Sequence, residues 1–492
     1  MAATVTKGGC FSRLFKIGLH VLSILYPTLF SSEAVSANWH FGARAESTLS
    51  YIDNINLGNS ANAESSGVFE LTPGFSLLGE GRRLRAKADY QLQSLYYSNN
   101  PVVGGGHDSD YFHRLSASAN SELLERLLFV DAGASVTQQS SSAIGAGSLD
   151  NYSVSKERGT VNKLSLSPYF HHQIGKGLST ELRYRYNELD GDKNIVNNAT
   201  VQTVVLTMDS GNLANRWQWT LNAQNSELNY QTQSDQTHLS ADLGLSYHLF
   251  SRTILSLHGG TEKVEYKPSN VGSTGGDYWL VSMDWRPGKR TSVSLQAGER
   301  YYGTSYGFSF NHRMRTAEAG LDYKEDLTNR SLIQFEPIAI QSGIIENAAG
   351  EPIPIYDFKN YPVLTTEVLL RKTLSGHVRW FTAKSTISLR LTDTNYEYQT
   401  SDNAERTQSG EASWQWRTSQ DMALNITGYY HHRKLVPTNS MESLRQVEMK
   451  LTHTLSPNTS TSMAVASTDR NTDINTLDYS QKRLTLAINM KW

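Results

Sequence analysis

Two histidine pairs, His171-His172 and His431-His432, are the first residues in this chain that could bind a metal. Neighbouring residues on a strand point to opposite faces, so neither pair can chelate one ion in an undistorted strand. Asp190, Asp192 and Asn194, in the run LDGDKN, have the spacing of oxygen ligands in a calcium loop. No acidic residue stands where such a loop must close, so a polar connection is the simpler reading. The chain has no H-E-x-x-H, G-x-S-x-G or Walker loop. Its single cysteine, Cys10, lies in an N-terminal leader and lacks the apolar residues that precede a lipoprotein cysteine. The chain expected after cleavage therefore has no thiol nucleophile, disulfide or haem-attachment motif. These residues give no reason to expect catalysis, a resident cofactor or a metal site.

A different chemistry comes from charges placed at every second residue. Arg85, Lys87, Asp89, Gln91 and Gln93 alternate with Leu84, Ala86, Ala88, Tyr90 and Leu92. Arg183 and Arg185 sit likewise between Leu182, Tyr184 and Tyr186. Gln296 and Arg300, then Gln446, Glu448 and Lys450, and finally Asn489 and Lys491 continue the pattern. Strands with one apolar and one polar face put these groups on a single wetted surface. Both signs and many amides are present, which suits water and hydroxyl-rich solutes. Strong ion selection would need rings of one sign. If Leu84, Ala86 and Ala88 face lipid, then Arg85, Lys87, Arg183 and Arg185 face a lumen. A charge on the lipid side would cost about 2–4 kcal/mol at the bilayer midplane.

The elements that must carry these groups are strands. Leu484, Leu486, Ile488, Met490 and Trp492 alternate with Thr485, Ala487, Asn489 and Lys491 up to the final residue. A terminal strand ending in an aromatic has the form of an insertion signal read by the barrel-insertion machinery of Gram-negative outer membranes. At the other end, Lys7, Arg13 and Lys16 precede a mostly apolar run from Ile17 to Phe30, and Val35-Ser36-Ala37 is an acceptable cleavage site. Residues 1–37 are accordingly expected to be a signal peptide and residues 38–492 one barrel domain. Only 38% of the residues are hydrophobic and the mean hydropathy is −0.45. A soluble chain of 492 residues would need larger apolar cores, whereas a barrel needs apolar residues only at alternate positions. The net charge of −2 indicates neither a nucleic-acid patch nor an acidic tail.

Short polar turns alternate with longer segments, as short periplasmic turns and long external loops do in outer-membrane barrels. The turns are expected at Gly79–Arg83, Leu124–Arg126, Gln173–Gly177, Asp209–Asn212, Leu249–Arg252 and Arg286–Arg290. Further turns are expected at Glu325–Arg330, Lys372–His377, Arg417–Gln420 and Ser456–Thr459. Longer links include Ser98–Asp110, Gln138–Thr160, Gln224–Gln236, Thr261–Gly276, Ala339–Tyr361 and Asn395–Arg406. This gives an all-β, antiparallel, up-and-down transmembrane barrel of about 22 strands, within a range of about 18–24. Leu123, Leu124, Leu127 and Leu128 have helical spacing, but the alternation on both sides favours a tight turn. Pro352 and Pro354 make Gly343–Tyr361 an irregular outer link, a candidate to fold inward as a constriction. With the first strand starting beside the cleavage site, no N-terminal plug is expected. The lumen is then open, closed by its own loops, or filled by another protein.

The segments YIDNINL (Tyr51–Leu57), LTPGFSLLGEGRRLRAKADYQLQSLYYSNN (Leu71–Asn100), LLFVDAGASVTQQS (Leu127–Ser140) and LSPYFHHQIG (Leu166–Gly175) resemble a family of outer-membrane barrels associated with the PEP-CTERM/exosortase system. Genes of that family accompany exopolysaccharide biosynthesis clusters, and it carries no established functional residues. The resemblance implies a conduit or structural component of exopolysaccharide export, without covalent chemistry. Its implied partners are outer-membrane lipid, polysaccharide and periplasmic export proteins. A general solute porin, or a sheath around a periplasmic electron carrier, would fit the same architecture. For an acidic polysaccharide, Arg85, Lys87, Arg183 and Arg185 would make a favourable wall.

Overall fold

Alternating apolar and polar side chains allow a strand to bury one face in an apolar medium and wet the other. A computed structural model shows how the chain uses this. It describes residues 37–99, 108–140, 151–153, 158–175, 177–192, 198–210, 216–231, 234–267, 273–328, 345–346, 352–353, 368–399, 403–434, 440–473 and 477–492. Residues 1–36 of the expected leader and Asn194 lie outside these residues.

The strands are β1 (Asn38–Ile52), β2 (Ser66–Glu80), β3 (Leu84–Tyr97), β4 (Ser109–Leu124), β5 (Leu128–Ser140) and β6 (Arg158–Ile174). Next come β7 (Leu178–Gly191), β8 (Ala199–Asp209), β9 (Trp217–Tyr230), β10 (Asp235–Phe250), β11 (Thr253–Lys267) and β12 (Ser273–Gly288). They continue with β13 (Thr291–Arg300), β14 (Gly303–Arg313), β15 (Ala317–Thr328), β16 (Ile345–Glu346), β17 (Pro352–Ile353) and β18 (Leu369–Phe381). The last are β19 (Ser385–Tyr398), β20 (Ala404–Arg417), β21 (Met422–Lys434), β22 (Met441–Ser456), β23 (Thr459–Thr472) and β24 (Tyr479–Lys491).

Apart from the separate β16–β17 hairpin, these strands form one 22-stranded sheet. Each strand pairs antiparallel with its chain neighbours, β15 passes to β18 across the long link, and β1 pairs with β24. The sheet is therefore a closed barrel without a free edge. At the closing seam, Arg44 stands opposite Lys491 and Ile52 opposite Arg483. The backbone of Trp492 continues the ladder, exchanging hydrogen bonds with Ala43 at 3.1 and 2.8 Å.

The register sorts the side chains into two faces. Leu49 pairs with Phe69 and with Leu486, and all three are exposed on the outer face. Arg44 pairs with Gly74, and Gly74 with Gln91, which puts the polar series of β1 to β3 on the inner face. Near the short turns the outer face carries Trp39, Trp217, Phe250, Trp285, Trp380 and Trp492, all exposed. Near the long links it carries Tyr51, Phe69, Tyr96, Tyr111, Tyr306 and Tyr430, also exposed. An apolar belt edged by two aromatic rows is what a barrel presents to lipid. The Trp39 indole lies over Gly79 on the neighbouring strand, where a Cβ would come within 2.5 Å of the ring.

Most expected turns fall between strands, including Leu124–Arg126, where Arg126 takes a left-handed φ of 56°. Its N–H donates to the Glu122 carboxylate, so the helical spacing of the four leucines ends in a tight turn. Two turns are corrected. Lys372–His377 lies inside β18, and Glu325–Thr328 is the end of β15. The actual turns, Met314–Thr316 and Thr382–Lys384, contain no glycine or proline. In β18, Ser375-Gly376 imitates a turn while Leu374 and Val378 keep the outer face apolar. The strand total is unchanged.

The two faces should differ in tolerance. Leu486→Arg, outward on β24, should cost about 2–4 kcal/mol, read as a lower urea midpoint of the heat-modifiable folded band. Thr485→Arg, one residue away on the inner face, should leave that midpoint close to wild type. Deleting Trp492 should lower the yield of inserted protein, since it removes the last rung at the seam and its outward aromatic.

Candidate functional site: the barrel interior

The inner wall is built from cross-strand polar pairs. Hydroxyls meet directly opposite one another: Ser50 with Thr485 at 3.0 Å, Thr203 with Ser226 at 3.0 Å and Ser246 with Ser256 at 2.8 Å. Charged groups pair along the same face. Arg44 meets Asp89 at 2.5 Å, Arg371 meets Asp326 at 2.6 Å and Arg483 meets Glu448 at 3.0 Å. Arg300 joins Glu262 and lies over the Tyr278 ring at 4.6 Å, while Tyr278 donates to Asp242 at 2.9 Å. A guanidinium that bonds a carboxylate offsets the water it gives up with charge-assisted hydrogen bonds and contributes little net field to the lumen.

Toward the long links the inner face becomes dense. Arg433 and Glu405 are 2% and 0% exposed and meet at 2.5 Å, and Arg470 and Glu442 meet at 3.2 Å beside them on β22 and β23. Ile52, Ile55, Val68, Leu95 and Tyr97 form a buried apolar cluster on β1 to β3 and the link after β1. Val368 packs with Val264 and Tyr266 and donates its N–H to the Tyr266 hydroxyl at 3.2 Å. In the two-residue link Tyr301-Tyr302, burial pushes the Tyr301 phenol up to about 12 and raises that of Tyr302. Both therefore remain neutral hydroxyls at physiological pH.

Residues 151–153, from the link between β5 and β6, lean against this end of the inner wall. Asn151 donates to Gln93 on β3 at 2.8 Å, and Gln481 on β24 donates to the Ser153 hydroxyl at 2.8 Å. Between them Tyr152 packs on the Ile52 cluster, with the Arg483 guanidinium 5.0 Å from its ring centroid. Gln93 also donates to Glu70 at 2.9 Å, which ties the segment to the wall of β2. The sequence offered Gly343–Tyr361 as the inward constriction. Apart from the short β16–β17 hairpin that stretch lies outside the described residues; among the described residues, 151–153 lie against the inner wall.

Arg85, Lys87, Arg183 and Arg185 all share the inner face, by register with Glu80, Leu78, Tyr169 and Thr203. They are not equivalent. Arg183 bonds Asp131 and Glu181, each at 2.7 Å, and stacks 3.7 Å above the Tyr169 ring. Arg85, Lys87 and Arg185 are exposed. The lone carboxylates of the LDGDKN run are engaged by the chain itself. Asp190 accepts from Asn198 at 2.7 Å, and Asp192 accepts from the Thr160 N–H at 2.9 Å. His431 faces inward and is buried, and His432 faces outward. Among the described residues no group of three or more His, Cys, Asp or Glu is placed to hold a metal. Leu484, Leu486, Met490 and Trp492 are exposed on the outer face, which Ile488 shares by its register with Ser47.

A closed antiparallel barrel of 22 strands, apolar outside and polar inside, has the fold of an outer-membrane β-barrel. Solved barrels similar in fold include the FrpB iron transporter of Neisseria meningitidis. Its F3-3 variant has a TM-score of 0.54 and 9% identity over 94% of this chain and 83% of that one. The F5-1 apoprotein gives 0.56 and 11% over 92% and 81%. The siderophore receptor PirA of Acinetobacter baumannii gives 0.54 and 9% over 92% and 80%. At such identities the likeness is one of fold. No protein-family model and no curated protein matches the chain.

The buried pair tests how the interior is held. Arg433→Met, which strands Glu405 without its cation, should cost about 3–5 kcal/mol, measured by urea unfolding in detergent. Adding Glu405→Leu should restore most of that loss, because no unpaired buried charge remains.

Proposed function

We propose that this protein is an outer-membrane conduit, or a structural component of one, for export of a hydroxyl-rich polysaccharide, acting without covalent chemistry. The reading includes a leader at residues 1–37 that directs export and a C-terminal strand read by the insertion machinery. The observation that carries it is the inner wall. Most of its guanidiniums are neutralised by neighbouring carboxylates, so a solute meets mainly hydroxyls and amides, with the exposed cations Arg85, Lys87 and Arg185 among them. Such a surface exchanges hydrogen bonds with sugar hydroxyls as readily as with water, and among the described residues it holds no single-sign ring that would trap an ion. The resemblance of Tyr51–Leu57, Leu71–Asn100, Leu127–Ser140 and Leu166–Gly175 to exopolysaccharide-associated barrels supports the same setting. Residues 151–153, held to Gln93 and Gln481, would narrow the passage at the end of the long links.

Deleting the gene should lower secreted and surface-bound polysaccharide while other envelope components persist. Unchanged polysaccharide would remove the reading, and strong small-ion conductance by the isolated barrel would favour a general porin. Within the barrel, Arg85→Gln, Lys87→Gln and Arg185→Gln together should leave insertion intact. Reversal potentials in planar bilayers should then shift toward cation selectivity. Arg183→Gln should instead lower stability, since it leaves Asp131 and Glu181 without their shared cation.

A further inference from the structure

Among the described residues the two ends of the barrel differ sharply in charge. At the short-turn end the residues between strands include Arg82, Arg83, Arg126, Arg216 and Arg252, followed by Lys289, Arg290, Arg315 and Lys384. Against these stand only Glu125 and Asp421 among the described turn residues. Glu125 is bonded to Arg83 at 3.0 Å. At the other end the described link residues carry Asp53, Glu64, Asp108, Asp192, Asp473 and Asp478 and no Lys or Arg. All the turn cations except Arg83 are exposed.

These cations recur beside the outward aromatic row. Arg216 precedes Trp217, Arg252 follows Phe250 by two residues, and Lys289 and Arg290 follow Trp285. Lys384 follows Trp380, and the turn carrying Arg82 adjoins the strand end where Trp39 lies over Gly79. The cations recur around much of the rim, whereas a docked soluble protein would need them in one sector. An aromatic at the edge of the apolar belt with a cation one step beyond it matches the depth order of a lipid leaflet, glycerol level first and phosphate next.

We propose that the short-turn rim is a binding surface for anionic glycerophospholipid headgroups, gripping the phosphates of the leaflet it meets. The inference rests on the membrane placement in the proposed function and is independent of the cargo.

The rim's own tryptophans supply the readout. The full chain is reconstituted in phosphatidylcholine vesicles containing equal mole fractions of brominated phosphatidylglycerol or brominated phosphatidylcholine, and quenching of tryptophan fluorescence is compared. In low salt the anionic lipid should quench more strongly, with a relative binding constant of about five for a site engaging one cation. Raising the salt from about 0.01 to 1 M, which shortens screening from ~30 to ~3 Å, should abolish the difference. So should a variant carrying Arg82→Gln, Arg216→Gln, Lys289→Gln, Arg290→Gln, Arg315→Gln and Lys384→Gln. If that variant fails to insert, the wild-type salt titration decides alone. Equal quenching by both lipids in low salt overturns the proposal, as does a preference that survives high salt or the six substitutions. Salt-sensitive binding of dextran sulfate to the vesicle-borne protein, with no lipid preference, would assign the rim to an acidic polymer and also overturn it. Unchanged polysaccharide after gene deletion would remove the export reading and leave this result untouched, so the two readings fail separately.

Discussion

In an apolar medium every backbone N–H and C=O must find a partner within the protein, and a sheet meets that demand only by closing. Here closure depends on the rungs joining β1 to β24, from Arg44 opposite Lys491 to Ile52 opposite Arg483. Every other pairing in the barrel joins strands consecutive in the wall, connected by a turn or link. The seam alone unites residues from opposite ends of the chain. Once it forms, the strand total must be even for antiparallel pairing to hold all round. Alternate connections then lie at opposite ends, the short turns at one and the mostly longer links, with the two-residue Tyr301-Tyr302, at the other. The face of each side chain is also fixed, because the period of two leaves no freedom after the first rung is set.

Closure creates the second constraint, an interior that must hold many charges away from lipid. The chain handles it by pairing. Arg44, Arg183, Arg300, Arg371, Arg433, Arg470 and Arg483 each reach a carboxylate on their own face. Pairs in the wetter part of the lumen contribute little to stability because water screens them. The two buried pairs near the long links are different: their net contribution is modest while both partners are present, and the loss is large when one is removed. They lie in the same region of the inner wall as the apolar cluster around Ile52 and the docked residues 151–153. The long-link end of the inner wall thus gathers buried ion pairs, an apolar cluster and a docked segment.

Much of this was legible in the sequence because a two-residue period needs only local information. Leu84, Ala86 and Ala88 put Arg85 and Lys87 on the inner face without any knowledge of neighbouring strands. The strand total could be read because short and long connections alternate. Turn positions were harder. Ser375-Gly376 has turn-like residues yet continues a strand, while Thr382–Lys384 turns with no glycine or proline. What the sequence could not show is who meets whom across the wall. The partner of Arg183 is Asp131, two strands away, and Ser153 meets Gln481 across the seam region, 328 residues distant. No periodicity encodes such contacts, so Arg183 looked equivalent to Arg185, and nothing in the sequence marked residues 151–153 as an inward segment.

The pairing pattern also governs how the barrel would yield to force. Adjacent strands are also successive in the wall, so tension on one terminus first meets the single seam between chain ends. After that it meets a series of local ladders. The ladders are unequal: β1 and β2 share rungs from Asn38–Glu80 to Ile52–Ser66, whereas β14 and β15 share only those from Phe308–Tyr323 to Arg313–Glu318. A chain drawn out of the bilayer would therefore leave in hairpin-sized steps of uneven height, with the boundary between β14 and β15 as its natural tear line.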